Sequence, residues 1–239
     1  MESFDFYDEE RAQLREDFFK KYSLPDEGNN LFFKCINEYL LMNARILDIG
    51  TGNGFVLEQL IRKYPKKYFH LEGIDISIDM LKKAKKRIDD LQIKLILGDN
   101  IKLPFQSDSF DAVTSKNVTN LSESEIYRVL KTSGKFFFRE YGSGKGLKEI
   151  ADLFQGRLIR ARGPDFYISR LEHAGFKNIS LKEINIKREY SFEKLLQIIK
   201  MFPFLDEVTE KDKYKIKSYF EDKDKILITS DQKIIIGEK

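Results

Sequence analysis

A single cysteine, two histidines and an almost cancelled charge limit what this 239-residue chain can do. Cys35 alone cannot close an intramolecular disulfide or build a cysteine-based metal cluster. His70 and His173 are too few for a histidine-rich metal site, so no metal is expected. Zinc hydrolases and enzymes with a Cys–His nucleophile are excluded on the same grounds. The 42 basic and 39 acidic residues leave a net charge of +3, without the basic excess of a dedicated nucleic-acid binder. Long apolar runs are missing too: Lys, Asp or Glu interrupts every candidate before the roughly 18 residues that a membrane span needs. The N-terminal MESFDFYDEERAQ is acidic and lacks the apolar stretch of a secretory signal. A soluble cytoplasmic protein is therefore expected, with no membrane partner.

What is present suits one large α/β domain, because 41% of the residues are hydrophobic, enough for an ordinary core. Residues 5–21 read as a charged amphipathic helix, and 29–42 as a second, with Leu31, Phe32, Ile36, Tyr39 and Leu40 at helical spacing. From residue 45 short apolar runs alternate with helical stretches. The runs are 45–49, 69–74, 92–97, 110–114 and 135–139; the helices between them fall at 54–64, 78–89 and 122–131. Such alternation indicates βαβ units and a parallel sheet. After a flexible GSGKG at 142–146 come helices at 147–155 and 165–174, the latter opened by Pro164 and stopped by Gly175. A strand at 177–187, helices at 191–201 and 209–221, and a last strand at 233–237 complete the pattern. The organisation predicted is a helical N-terminal extension (1–43), a ligand-binding core (44–141) and a C-terminal half (142–239) with a helical insertion before the last strand.

The first strand–helix junction reads ILDIGTGNG at 46–54. Glycines there let the backbone turn sharply and approach a ligand, and the following helix offers free N–H groups and the positive end of its dipole. Asp48 stands beside the same crevice. The second strand ends in Asp75, twenty-one residues after Gly54. A carboxylate at that point can accept from both ribose hydroxyls of an adenosine, and it or Ser77 can also cap the helix that follows. The third strand ends in Gly98-Asp99-Asn100. Three neighbouring strands that each end in Asp suggest one shared ligand, since open α/β sheets bind at their carboxyl edge.

With these residues in view, the chain resembles the class I, Rossmann-like S-adenosylmethionine (SAM)-dependent methyltransferases of the small-molecule type. The family's first motif, (D/E)-x-G-x-G-x-G, matches DIGTGNG; the third glycine comes one residue too early for the nicotinamide pattern G-x-G-x-x-G. GIDIS at 73–77 resembles the second motif. LGDNIKLPFQSDSFDAV at 97–113 resembles G-D-x-x-x-L-P-F-x-x-x-S-F-D-x-V and is the most specific match. VLKTSGKFFF at 129–138 resembles the turn before the fifth strand, with Thr132 and Ser133 in place of proline and glycine, and LEHAGF at 171–176 is a further family segment. The resemblance is good over 44–141 and looser toward the C-terminus. It implies a doubly wound, seven-stranded, mostly parallel sheet with an antiparallel edge, and SAM as cofactor. It implies that Asp48 lies near the methionine amino group, and that Ile49, Gly50, Thr51, Gly52 and Gly54 line the methionine carboxylate and ribose. It further implies Asp75 on the ribose hydroxyls, Ile76 on the adenine face, Asp99 on the adenine amine and Asn100 on the ring. Lys116 falls where the family closes over the methionine end.

Methyl transfer from a sulfonium needs alignment more than acid or base, and no catalytic side chain is identified. Ser115-Lys116-Asn117-Val118-Thr119-Asn120 lacks the N-P-P-Y or D-P-P-Y pattern of enzymes that methylate planar amino groups. A small-molecule acceptor is the leading expectation. A tRNA methyltransferase, a SAM-binding protein without catalysis, and a nucleotide-sugar or nicotinamide enzyme are the rival readings. Acceptor contacts are expected from helix 5–21, segment 142–163 and insertion 190–224. Tyr7, Tyr22, Tyr141 and Tyr167 are candidates to line a pocket, although aromatic residues on helices more often belong to the core. Arg157, Arg160 and Arg162 are candidates for an anionic group, against the simpler reading of a solvated basic stretch. KKAKKR at 82–87 reads as an exposed helix face and His173 as a surface residue.

Overall fold

The computed structural model describes residues 27–239 apart from 90, 119, 143–144, 160–161, 202–204, 206–207 and 222–224, with the side chain of residue 201 also outside the description. The expected helix at 5–21, with Tyr7, lies outside the described residues, as do Tyr22 and Arg160. In chain order the elements are α1 (Glu27–Tyr39), β1 (Arg45–Ile49), α2 (Phe55–Lys63), β2 (His70–Asp75), α3 (Ile78–Arg87), β3 (Lys94–Leu97), β4 (Phe110–Lys116) and α4 (Glu123–Val129). There follow β5 (Leu130–Tyr141), α5 (Lys148–Leu153), α6 (Pro164–His173), β6 (Lys177–Tyr190), α7 (Phe192–Met201), α8 (Glu210–Tyr219) and β7 (Ile226–Glu238).

The seven strands form one sheet in the order β3-β2-β1-β4-β5-β7-β6. The first five pair in parallel, with Ile49 opposite both Ile74 and Ser115. β7 runs against β5: at one end Ser133 N–H donates to Lys239 O (3.1 Å) and Lys239 N–H to Gly134 O (3.0 Å), while at the other Gly142 N–H donates to Asp231 O (3.0 Å). This is the seven-stranded, mostly parallel, doubly wound sheet that the sequence predicts.

Two compact units divide the chain. The larger comprises Gly28–Glu140, Pro164–Glu183 and Lys233–Lys239; the smaller includes Tyr141–Gly163 and Ile184–Gln232. Each has its own core. In the larger unit Phe110, Phe136, Phe138, Ile126, Val129 and Leu171 are fully buried with their neighbours, and the Phe136 and Phe138 rings stack at 5.9 Å. Side chains of this size stabilise by about 1.5–3 kcal/mol each on burial. In the smaller unit Leu147, Ile150, Leu195, Ile198 and Ile199 pack with Ile216, Phe220 and Ile228.

Local chemistry explains the element ends. Ser77 caps α3 by accepting from Met80 N–H (3.3 Å), and Leu81 and Ala84 face inward, which leaves the lysines of KKAKKR on the outside. Thr209 and Asp212 form a reciprocal capping box on α8. Pro164 opens α6; at its other end Gly175 takes a positive φ of 101°, with Phe176 N–H bonded to Leu171 O and Gly175 N–H to Glu172 O. That paired pattern ends a helix where glycine stands just beyond the cap.

Several boundaries differ from the sequence reading, three of them for reasons visible in the structure. The last strand begins at Ile226 and not at 233, because Thr229, Ser230, Asp231 and Gln232, which look like a loop, are buried within it. β6 continues to Tyr190, three residues past the expected end at 187. The expected turn before the fifth strand lies inside β5: Leu130 pairs with Phe110, the register shifts, and Lys135 then pairs with Ala112. Ser133 absorbs the irregularity with φ 62°. Among the described residues, no helix is long and apolar enough to cross a membrane.

Candidate cofactor site

The carboxyl ends of β1, β2, β3 and β4 lie side by side, so the parallel register brings the residues expected on the cofactor side to one edge of the sheet. β1 is continuously buried up to Ile49, and the chain then reverses through Gly50, Gly52 and Gly54 at φ 64°, 55° and 76°. At Gly50 a side chain has no room as well as no favourable conformation: an added Cβ would lie 2.3 Å from Val118 Cγ2 in the loop after β4. The turn is anchored from β2. Gly50 and Thr51 N–H both donate to Ile74 O (2.9 and 3.1 Å).

Asp75 performs the second anchoring. Its Oδ2 accepts from Gly52 N–H (2.8 Å) and its Oδ1 from Ser77 N–H (2.9 Å), so one carboxylate ties the glycine turn to the start of α3. A carboxylate has about four lone-pair sites, so each oxygen keeps capacity for a further donor. Both sequence readings of Asp75, as helix-start residue and as ligand acceptor, are compatible with this arrangement. Ser77 rather than Asp75 is the N-cap proper.

Asp48 is nearly inaccessible, at 1% exposure. Thr114 Oγ1 donates to its Oδ1 (2.7 Å), whereas Oδ2 has no hydrogen-bond partner among the described residues. Burial pushes the Asp48 carboxyl up to about 7; the hydroxyls of Thr114 and Thr51 and the charge of Lys116 oppose the rise, and Asp75 adds to it. The Thr51 hydroxyl is near but outside hydrogen-bonding geometry. A buried carboxylate with an unused oxygen, beside a glycine turn, is suited to a cationic ligand group.

At the next strand end Asp99 Oδ1 accepts from Ile101 N–H (3.1 Å). Asn100 links two loops: its Nδ2 donates to Asn120 O (3.0 Å) and its Oδ1 accepts from Ser122 N–H (2.8 Å). Ile76 and Ile101 are both 72% exposed, an uncommon state for isoleucines that flank two turns of one sheet edge. Ile101 was not singled out in the sequence; its place directly after Asp99-Asn100 was the available signal. Thr114 was also missed, because its role depends on a partner in another strand. Lys116 is the last residue of β4 and not a residue beyond it, and it pairs with Arg139 of β5.

The described residues suggested for the acceptor side are divided between the two units. Tyr167 belongs to the core of the larger unit, edge-on to Phe138 at 4.9 Å, so it lines no pocket. Arg157 is committed to Asp212 in the smaller unit (2.6 Å), which removes it from an anion-binding trio; Arg162 and Tyr141 also lie in that unit. His173 is a helix-end residue whose Nδ1 is 2.6 Å from Ser169 O. Among the described residues, no group of three or more metal-ligating side chains could hold an ion.

A mostly parallel sheet with a reversed strand next to its edge, and a glycine turn facing acidic strand ends, defines the Rossmann-like class of methyltransferase folds. Residues 46–134 match the family described as a methyltransferase domain. The ubiquinone/menaquinone biosynthesis C-methyltransferase UbiE of Rickettsia typhi is 31% identical over 189 residues, which span 72% of this chain and 68% of that protein. Among solved structures, a Bacillus halodurans protein described as a methyltransferase superposes with a TM-score of 0.61 at 19% identity, over 87% of this chain and 98% of that one. Phosphoethanolamine N-methyltransferase 2 of Haemonchus contortus, solved with SAM, gives 0.57 at 21% identity, over 88% and 52%. The chain belongs to the class I SAM-dependent methyltransferases.

Proposed function

We propose that the protein transfers a methyl group from SAM to a small-molecule acceptor by in-line displacement. One observation carries the cofactor side: the parallel register sets Asp48, Asp75 and Asp99 at adjacent strand ends around a glycine turn. The unused Asp48 Oδ2, the spare capacity of Asp75 and the exposed faces of Ile76 and Ile101 fit the ammonium, ribose and adenine of SAM in turn. When bound, SAM would supply a methyl group activated by its cationic sulfur, and the residues of the site would only have to hold it in line with the acceptor.

The residues of the chain hold and orient. Asp48 receives the amino group, and the turn from Ile49 through Gly54 lets the backbone pass close to the amino-acid end and ribose. Asp75 takes the ribose hydroxyls, while Ile76 and Ile101 flank the adenine and Asp99 with Asn100 marks its polar edge. Such positioning replaces much of the entropy cost of bringing two reactants together. The small-molecule reading is supported by the similarity to a methyltransferase of quinone biosynthesis and by the near-balanced charge.

Incubation with methyl-labelled SAM and either a small-metabolite extract or total tRNA tests the reading. Label is expected in the metabolite fraction; label in tRNA alone overturns the acceptor class. Absence of SAM binding overturns the site.

A further inference from the structure

At the amino ends of β1 and β2, opposite the cofactor edge, two loops are fastened to each other. Asn43 N–H donates to Lys67 O (2.7 Å) and His70 N–H to Ala44 O (3.0 Å). Lys67 Nζ donates to the carbonyls of Leu40 (2.7 Å) and Asn37 (3.3 Å), which satisfies orphan acceptors at the end of α1. Loop 40–44 is thereby held against loop 64–69, with Leu40 turned inward. The next apolar residues are turned outward: Leu41, Met42 and Tyr68 are 82%, 58% and 65% exposed. Tyr68 has φ 52°, a left-handed conformation that costs free energy for a residue with a Cβ. An anchored pair of loops thus presents a leucine, a methionine and a phenol ring to water.

The charge around these side chains has one sign. Neither loop contains an acidic residue, while Lys66 in the second loop and Lys63 at the end of α2 are exposed. Acids on α1 and along this edge are already matched. Glu38 pairs with Lys34 (3.7 Å), Glu72 with Arg45 (2.9 Å), Asp108 with Lys239 (2.8 Å) and Asp111 with Lys131 (2.7 Å). Asp89, exposed before β3, lies one strand further out. We propose that loops 40–44 and 64–69 attach the protein reversibly to an anionic lipid surface. Leu41, Met42 and Tyr68 enter the headgroup region, and Lys63 and Lys66 meet its negative charge. Apolar tips, an amphipathic phenol and flanking ammonium groups match the layers of such an interface in turn. A protein partner fits less well, because a stable protein interface buries about 800 Å² on each side, more than three side chains on two short loops supply. The sequence led to an expectation of no membrane partner because it has no spanning run, and surface attachment needs none. β1 and β2 run from this face to the cofactor edge, so the attached protein turns that edge toward water.

Flotation of the full chain with lipid vesicles tests the proposal. The protein is expected to float with an equal mixture of phosphatidylcholine and phosphatidylglycerol, to stay behind with phosphatidylcholine alone, and to be released by salt. Leu41→Ser combined with Met42→Ser and Tyr68→Ser is expected to lower the partition coefficient by roughly tenfold or more. Lys63→Gln with Lys66→Gln is expected to lower it by about fivefold per lysine. Both variants should bind S-adenosylhomocysteine, the demethylated product of SAM, within about twofold of the parent, since exposed side chains far from the site carry little of the fold. Failure of the parent to float with the mixed vesicles, equal flotation with both lipids, or unaltered flotation of the triple variant overturns the proposal. A parent that self-associates through this face without floating overturns it as well and assigns the face to a second copy. Flotation is read without SAM, so a failure of the proposed cofactor site would leave this result standing.

Discussion

The two units differ in how legible their polar groups are. In the larger unit Asp75 and Asp99 stand at strand ends and are held by backbone N–H groups of adjacent turns, while Asp48, Thr114 and Arg139 are buried within its strands. In the smaller unit a polar run sits in the middle of a strand. Thr229 N–H and Oγ1 donate to Glu149, 80 residues away in sequence, at 2.7 and 2.6 Å, and Gln232 Nε2 donates to Ser230 Oγ at 3.2 Å. The Asp231 carboxylate packs so closely on Gly142 that an added Cβ there would lie 1.6 Å from its Oδ2. Arg157 and Asp212, 55 residues apart, form the same kind of long-range tie. Polar groups at a strand end serve their own turn, so a short motif reveals them; those inside a strand depend on partners that no short motif contains.

Substitutions in each core test whether the two units are as separate as their packing suggests. Phe136→Ala in the larger unit is expected to cost about 3–5 kcal/mol of stability by opening a cavity, read as a fall in the denaturation midpoint. Leu195→Ala in the smaller unit is expected to cost roughly 3 kcal/mol while S-adenosylhomocysteine affinity at saturating fold stays within about twofold. A large affinity loss in Leu195→Ala would erase the distinction between the units.

At the cofactor edge, Asp75→Ala is expected to weaken SAM binding by about 1.5–3 kcal/mol, because a charged acceptor is lost and the glycine turn is released. Unchanged affinity in titration would place the ribose elsewhere. In the smaller unit Asp212 is held near 2: burial opposes the shift, but the Arg157 guanidinium and the N–H and hydroxyl of Thr209 outweigh it. Because the folded value lies below the ordinary 3.8, this contribution is complete above that pH and is lost as the pH falls toward 2. Asp212→Asn should therefore cost about 2 kcal/mol at neutral pH, with variant and parent converging in acid. Parallel denaturation curves at both pH values check this.

An effect of the opposite sign concerns Asp48. Its folded value is raised, so its stabilising contribution is greatest below 3.8 and is lost as the pH rises through about 7. Asp48→Asn should raise the midpoint of the ligand-free protein at alkaline pH, with the gain fading in acid, and should weaken SAM binding. In the parent, SAM affinity should rise with pH up to about 7, by at most roughly tenfold per pH unit, since an ammonium ligand requires the ionised carboxylate. A flat profile would detach Asp48 from the ligand.

Most of the larger unit was legible because its signals are local. Asp48, the glycines, Asp75 and the LPFQSDSFDAV run each lie within a few residues of the turn they build, and the parallel sheet follows from the alternation of strands and helices. Ile101 escaped notice because, apart from its place after Asp99-Asn100, it is its exposure in the fold that distinguishes it from a core isoleucine. Thr114 escaped because its partner is 66 residues away. The long β7 was shortened for a related reason: Thr229 to Gln232 have loop composition, and partners distant in sequence, such as Glu149 and the chain at Gly142, hold them in a strand. Tyr167 read as a pocket candidate, yet the aromatic cluster around Phe138 claims it.

The double tie made by Asp75 has a kinetic consequence. Because the Gly52 and Ser77 N–H groups are engaged within the chain itself, the cofactor turn is expected to need little ordering during association. Amide protons at these two positions should exchange slowly in the empty protein and change little on binding. The encounter with cofactor should then resemble docking onto a finished surface, with an association rate governed by diffusion and charge rather than by loop closure.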